Sequence, residues 1–378
     1  MKKKVILFAT SHPIQYQVPL FKKITKKNRS FEVIYEQQFS KNVVVKDIDF
    51  KTNIHWGSNF AKGYNFYVFS KKKKIISNIL NLYYLFKNKN IEYIILSGWN
   101  NFFYKIVYLF SIILSIKIIL RCENNFYNDN LLKKIIKKTL LTIFFKKFYK
   151  FIAIGKKNYE MFLNCGVKKK NIILSNYFVD KNFFLSKNLL KKKSNRIKKN
   201  LAIKREKVFL FVGKLIKRKG LDVLLEAFKL VNKTQTNLNY KLLIVGSGPE
   251  KNNLVKLNNN NNIFFLNFQK SKELLYYYNL ADFLIMPSYY ETWGLVANEA
   301  LEMGKPCIVS DKCGCANDLI KNEKNGFVFE SGNHTELADI IINILKSKKK
   351  IFFSKKSIKK SLKNFDIDKT VKTILELK

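Results

Sequence analysis

Two glutamates, Glu291 and Glu299, stand eight positions apart around a glycine, Gly294. They lie in a stretch running from Pro287 to Pro306, behind an apolar run at 282–286 that reads as a buried strand. Pro287 ends that strand, and a helix is predicted from near Gly294 to Gly304, where a C-terminal glycine belongs. A loop that leaves the carboxyl end of a strand and feeds a helix is the ligand-binding place of an open α/β sheet. The first amides of that helix, at Leu295 and Val296, point away from it with the positive end of the helix dipole behind them, which suits a diphosphate. The carboxylates repel such an anion, so they belong to its neutral neighbours. Vicinal hydroxyls of a ribose or a hexose fit, because a carboxylate accepts from both. A sugar on either side of a diphosphate fits this arrangement. Taken singly, Glu291 reads better as a surface loop residue and Glu299 as a residue that favours the first half of a helix; the glycine, the strand and the spacing together favour the site.

Positive charge lies one strand earlier. Gly213 and Lys214 follow the apolar run at 207–212, and Lys219 precedes Gly220. A lysine there neutralises a diphosphate as a point charge. Gly246 opens a tight turn after the run at 240–245, and Phe268 follows the run at 262–266, where the turn lines a nucleotide pocket and the loop lies near the base. The alternation of strand and helix from 207 to 286 predicts βαβ units and a parallel sheet.

The first half of the chain repeats that alternation. A strand over Val5 to Ala9 ends in Ser11-His12-Pro13, with a helix from Gln17 to Lys27. No glycine-rich dinucleotide fingerprint is present, which argues against an NAD enzyme. His12 sits where it can hydrogen-bond an acceptor hydroxyl or cap its own loop. The strand over 117–120 leads into Arg121, Cys122 and Glu123. Arg121 and Glu123 read either as contacts to donor or acceptor or as a structural ion pair. Residues 37–65 read as a long loop, and Lys71 to Lys74 as the solvated start of a helix. Residues 186–206 are rich in Lys, Asn and Ser and read as a linker between a domain at 1–185 and one at 207–364.

The chain has 378 residues, 71 Lys+Arg against 27 Asp+Glu, and a net charge of +44, so it should seek anionic partners. No helix-turn-helix, zinc or RNA-binding signature accompanies the charge, so no nucleic-acid partner is expected. Lys, Asn, Ile, Phe and Tyr are all abundant, as an A/T-rich coding sequence produces, and part of the charge is compositional background. Leu131 to Lys150 reads as a basic amphipathic helix. Leu132, Ile135, Ile136, Thr139, Leu140 and Ile143 are predicted to pack on the sheet, leaving lysines to touch an anionic membrane surface or plain solvent. Five cysteines at uneven spacing suggest free thiols and a cytoplasmic setting. Asp47 and Asp49 have the letters of a metal motif but lie in an irregular loop, so no metal site and no cofactor is expected.

The stretch around Glu291 and Glu299 resembles the donor site of family 4 glycosyltransferases of the GT-B fold. Phe211 to Leu215, Lys219-Gly220, Leu243 to Glu250, Ala281 to Phe283, Gly304 to Asp311 and Asn325 to Val328 follow the family's order over roughly residues 205–345. Ser11 to Phe21 resembles a subgroup found among bacterial surface-polysaccharide enzymes. The resemblance implies two Rossmann-like domains facing across a cleft, with a C-terminal helix at 365–378 crossing back to the first. It implies a retaining hexosyl transfer from a UDP- or GDP-sugar to a saccharide or lipid-linked saccharide, with Glu291, His12, Glu123 and Arg121 near the reacting sugar. This chain departs from the family at Lys214, where arginine is usual, at Ser11, where glycine is common, and at Arg121 to Glu123, where a histidine is common. Those departures leave open a nucleotide-sugar-binding protein without turnover. A nucleotide-sugar epimerase would share the architecture.

Overall fold

The structure is a computed structural model that describes residues 4–14, 16–36, 44–47, 52–55, 62–69, 75–127, 130–180, 186–234, 239–347 and 353–377. The chain forms two compact units. The first comprises Met1–Val45, Ile54–Phe178 and Phe365–Lys378, the second Lys46–Asn53 and Val179–Asn364.

The elements of the first part of the chain are β1 (Val5–Thr10), α1 (Gln17–Lys27), β2 (Phe31–Tyr35), β3 (Val44–Asp47), β4 (Thr52–His55), β5 (Asn65–Val68), α2 (Ile75–Asn88), β6 (Ile91–Leu96), α3 (Phe102–Ile113), β7 (Lys117–Cys122), α4 (Leu131–Phe145), β8 (Lys150–Ala153), α5 (Lys156–Asn164) and β9 (Ile172–Leu174). Seven strands make one parallel sheet in the order β5-β2-β1-β6-β7-β8-β9, while β3 and β4 pair with each other. These strands read as near-continuous apolar runs because helices cover both faces. Leu7 and Ala9 of β1 face a core shared with α2, α3, α4 and α5. Ile6 and Phe8 face the other core, with α1 and the last helix of the chain. Asn101 and Asn130 cap α3 and α4, their side chains accepting from Tyr104 N at 3.0 Å and Lys133 N at 2.9 Å.

The second part contains α6 (Lys187–Asn200), β10 (Lys207–Val212), α7 (Leu221–Thr234), β11 (Tyr240–Val245), α8 (Lys251–Lys256), β12 (Ile263–Leu266), α9 (Ser271–Leu280), β13 (Phe283–Met286), α10 (Leu295–Glu302), β14 (Cys307–Ser310), α11 (Ala316–Leu319), β15 (Gly326–Phe329), α12 (His334–Lys346) and α13 (Lys355–Ser361). Its six strands are parallel in the order β12-β11-β10-β13-β14-β15. The last helix, α14 (Ile367–Leu375), packs on α1 of the first unit, where Lys23 pairs with Asp368 at 2.7 Å and Tyr93 donates to Ile374 O at 2.6 Å.

Three sequence expectations change. The stretch read as a linker forms α6, which lies along α9: Ser194 Oγ donates to Tyr276 O at 3.0 Å and accepts from Asn279 Nδ2 at 3.0 Å. Leu190 and Ser194, one helical turn apart, are buried, and so thin a stripe does not show through the surrounding lysines. Inside the stretch read as a long loop, Val44–Asp47 and Thr52–His55 form β3 and β4, and its last residue, Asn65, opens β5 at the sheet edge. Third, the first ten residues of α4 bury no side chain. Leu132, Ile135, Ile136, Leu140 and Ile143 are exposed, and the helix is seated by Leu141 and Phe145. Residues 71–74 and Asp49 lie outside the described residues.

Candidate functional site

In each sheet the strand order reverses once, between β1 and β6 in the first and between β10 and β13 in the second. Loops at the carboxyl ends of the strands on either side of such a reversal diverge and leave a crevice. In the second unit those two loops carry Lys219 and Glu291. The Glu291 carboxylate binds Lys219 Nζ and also Arg218, whose Nη1 is 3.1 Å away, and both cations contact the same oxygen, Oε2. Burial on its own would raise the carboxyl; the charges of Lys219 and Arg218 outweigh it and hold Glu291 below the usual carboxylate value. Arg218 also lies over the Tyr290 ring, 5.6 Å from its centroid, and its carbonyl accepts from Tyr289 N. Arg218 was not legible as a site residue because its neighbours Lys217 and Lys219 look the same in sequence.

The Glu291 loop is clamped from the far side. Glu291 N donates to Lys312 O, Gly314 N to Glu291 O and Cys315 N to Trp293 O, so the segment after β14 pairs with it as a short parallel bridge. Trp293 is buried and donates through Nε1 to Asn298 Oδ1 at 2.8 Å, tying loop to helix. Gly294 is the N-cap of α10 with φ +105, and a Cβ there would stand 2.4 Å from Met286 Cε, so the turn needs glycine. Ala297 N donates back to Gly294 O at 3.0 Å, and the helix itself offers no acceptor to the amides of Leu295 and Val296. One turn on, Glu299 Oε2 accepts from the Tyr278 hydroxyl at 2.7 Å. Burial raises the Glu299 carboxyl and the Tyr278 hydrogen bond offsets part of that. Tyr278, on α9, gives no sequence signal beyond an apolar position in a helix.

The remaining predicted donor residues sit on the same end of this sheet. Gly213 and Lys214 follow β10, and Phe268 follows β12, half-buried. Gly246 follows β11 and has a packing role: a Cβ there would stand 1.9 Å from Gly213 O, so its absence lets the loops after β10 and β11 touch backbone to backbone. Leu215 N to Ser247 O and Glu250 N to Leu215 O stitch the same two loops together.

The first unit holds a second polar cluster. His12 follows β1, with Nδ1 2.9 Å from Ser11 Oγ. Burial lowers its pKa, and the nearby Glu36 carboxylate offsets only part of that. Glu36, buried just after β2, binds the Nδ2 of Asn101, whose Oδ1 is already committed to capping α3. Gln17 Nε2 donates to Ser97 Oγ at 3.1 Å, across the β1–β6 reversal. Arg121, the next to last residue of β7, is 2% exposed, and its Nε and Nη2 have no hydrogen-bond partner among the described residues. Its guanidinium lies 5.3 Å from the Tyr177 ring centroid, and Tyr177 and Tyr16 join hydroxyls at 3.2 Å. Glu123 lies close enough to act electrostatically on both tyrosines. The expected alternative of an Arg121–Glu123 ion pair is not what forms; Arg121 rests on an aromatic face.

Among the described residues no three His, Cys, Asp or Glu side chains gather as a metal site, and no helix is long and apolar enough to cross a membrane. Cys122, Cys165, Cys307, Cys313 and Cys315 are all buried free thiols.

Residues 192–363 match the family described as glycosyl transferases group 1. The match lies within the second unit and covers a little under half of the chain. The chain is 37% identical over 125 residues to an uncharacterized glycosyltransferase of Methanocaldococcus jannaschii, a match covering 32% of this chain and 31% of that protein. It is 31% identical over 187 residues to the UDP-Gal:alpha-D-GlcNAc-diphosphoundecaprenol alpha-1,3-galactosyltransferase of Escherichia coli, covering 47% of each. The matched stretches thus span about a third to a half of these curated relatives. The whole fold is similar to that of Anabaena HepE, solved in complex with UDP and glucose, with a TM-score of 0.74 at 16% identity over 99% of both chains. The chain accordingly has the GT-B fold, with two parallel-sheet Rossmann-like units.

Within the domain that carries this match, the residues that sequence pattern missed are the partners of those it found. Arg218 shares Glu291 with Lys219, and Tyr278 holds Glu299. Outside that domain, Glu36 is the missed residue: a glutamate one position past an apolar strand carries no motif.

Proposed function

We propose that the protein is a retaining hexosyltransferase that moves a sugar from a UDP- or GDP-sugar to a saccharide or lipid-linked saccharide during assembly of a bacterial surface glycan. The observation that carries this reading is the cluster of Glu291, Lys219 and Arg218 at the strand reversal of the domain that carries the group 1 glycosyl transferase match. Both cations occupy Oε2, which leaves Oε1 for a hydroxyl of the transferred sugar. Lys219, Lys214 and the amides of Leu295 and Val296 stabilise the diphosphate, on which negative charge grows as its bond to the anomeric carbon breaks and the acceptor oxygen bonds to that carbon. Glu299, held by Tyr278, takes the ribose, and Phe268 lies beside the base. The relative whose name gives a UDP-galactose donor and a diphosphoundecaprenol-linked acceptor supports the substrate classes.

His12, Glu36, Arg121 and Glu123 serve the acceptor in the first unit. His12, its pKa lowered by burial, is neutral near pH 7 and accepts from or donates to an acceptor hydroxyl. Fixed cations and amides take the place of a metal ion, no cofactor takes part, and the enzyme works in the cytoplasm at an anionic membrane surface. A thermal-shift screen of nucleoside diphosphates and nucleotide-sugars tests the donor assignment, because a ligand of the folded state raises its melting temperature by mass action. Slow release of nucleoside diphosphate that persists in EDTA is expected. Activity abolished by EDTA and restored by manganese would overturn the metal-free site, and a mass-neutral conversion of the donor would mark an epimerase.

A further inference from the structure

The helices on one face of the first sheet present a broad apolar surface to solvent. In that unit α3 lies between α2 and α4: the Tyr83 and Phe110 rings meet at 5.5 Å, and the Tyr108 and Phe144 rings at 4.7 Å. Leu80 of α2, Leu109 and Ile113 of α3, and Leu132, Ile136 and Leu140 of α4 are each exposed by 50–69%. Single exposed leucines are ordinary, but a run of them across three neighbouring helices marks an interaction surface. Leu132, Ile136, Leu140 and Leu141, with Lys133 and Lys137, also line a groove of about 470 Å³ along α4.

Charge says what covers this surface. Ile75–Asn88, Phe102–Ile113 and Leu131–Phe145 contain no Asp or Glu, and they carry Lys87, Lys105, Lys133, Lys134, Lys137 and Lys138. A two-fold dimer through this face would set lysines against lysines with no carboxylate on these three helices of either copy. A bilayer with anionic lipids offers acyl chains to the leucines and head-group phosphates to the lysines.

We propose that the α2–α3–α4 face seats the protein on an anionic bilayer, with its leucines and isoleucines inserted below the head groups and its lysines at their level. This goes beyond adsorption of one basic helix, in which the apolar side would be turned to the sheet and salt alone would release the protein. The seat adjoins the acceptor cluster, since α4 follows the loop after β7 and Lys137 lies 5.3 Å from the Phe126 ring of that loop. It rests on the proposed transferase function only for its purpose, and its test uses no transfer reaction.

The test is flotation of the full chain with phosphatidylcholine vesicles, with and without phosphatidylglycerol, at low salt and at about 1 M salt, where the Debye length falls to about 3 Å. Binding to the anionic vesicles that persists in part at high salt is expected. Two variants, L132S/I136S/L140S and L109S/I113S, should each lower vesicle partitioning by about tenfold or more while melting like the parent. Complete release by salt, or undiminished binding in both folded variants, would overturn the seat. So would a concentration-dependent dimer that the same variants disperse, with no vesicle binding, since that would make a second copy the occupant. Donor hydrolysis is read separately without vesicles: its absence in the parent strikes the transferase reading and leaves the seat standing.

Discussion

Lys219 and Glu291 are bound to each other at the mouth of the second sheet, with side chains only 15% and 11% exposed, and Arg218 joins them on the same carboxylate oxygen. Lys219, proposed to meet the diphosphate, is thus already ordered by an anion before any ligand arrives. That arrangement avoids the reorganisation a flexible surface lysine would need.

Removing the anion and removing one cation should differ. Glu291→Ala leaves Lys219 and Arg218 facing each other without a counter-charge, an expected loss of about 3–5 kcal/mol. Lys219→Ala leaves Glu291 still paired with Arg218, an expected loss of about 1–2 kcal/mol. Urea unfolding of both variants measures this, and a nucleoside diphosphate should restore part of the loss in Glu291→Ala. The reverse order of stabilities would show that the pair is a surface contact.

Tyr278 should act on nucleotide binding through Glu299. Tyr278→Phe deletes the 2.7 Å hydrogen bond and little volume. Affinity for nucleoside diphosphate should fall about fivefold to tenfold, by calorimetry, with a larger drop in Glu299→Ala. Unchanged affinity in both would remove Glu299 from the ribose.

Acid should destabilise the protein in two windows. His12 has its folded pKa below the usual 6.5, so as pH falls past 6.5 the unfolded chain takes up a proton that the folded one resists. Glu291 does the same below the usual 4.5. Both contributions are complete above those values and are lost as pH falls through the folded ones. Melting temperature against pH should lose its first inflection in His12→Asn and become shallower below 4.5 in Glu291→Gln. A His12→Asn profile that matches the parent would place the histidine in solvent.

Arg121 is a buried cation whose Nε and Nη2 lack partners among the described residues, so it should cost the fold rather than support it. Arg121→Met should melt at the same temperature or higher while the acceptor KM rises by about tenfold or more. A sharp fall in melting temperature with unchanged acceptor kinetics would make the guanidinium a structural prop.

Much of the placement of the residues around Glu291 and Glu299 could be read from residue order. The apolar runs at 207–212, 240–245 and 282–286, the glycine before α10 and the two glutamates around it carry local information: strand burial, a turn that needs positive φ, a helix start. The structure puts them where that information implies, on neighbouring loops of one sheet. Their partners were not readable. Arg218 is one of three consecutive basic residues, and only the return of the Glu291 loop to the end of β10 selects it and Lys219 as the pair that shares a carboxylate. Tyr278 looks like any aromatic on a packed helix until α10 brings Glu299 to its hydroxyl.

The sequence by itself determined that α4 is amphipathic and basic, because a spacing of three and four residues places its apolar side chains together on any helix. Tertiary structure alone decided which way that side faces. The last turn fills the space over the sheet with Leu141 and Phe145, and among the described residues no element of the first unit buries the ten residues before it. Periodicity reports that an apolar stripe exists; whether a core is there to receive it depends on where distant strands and helices end, and that is settled only when the chain has folded.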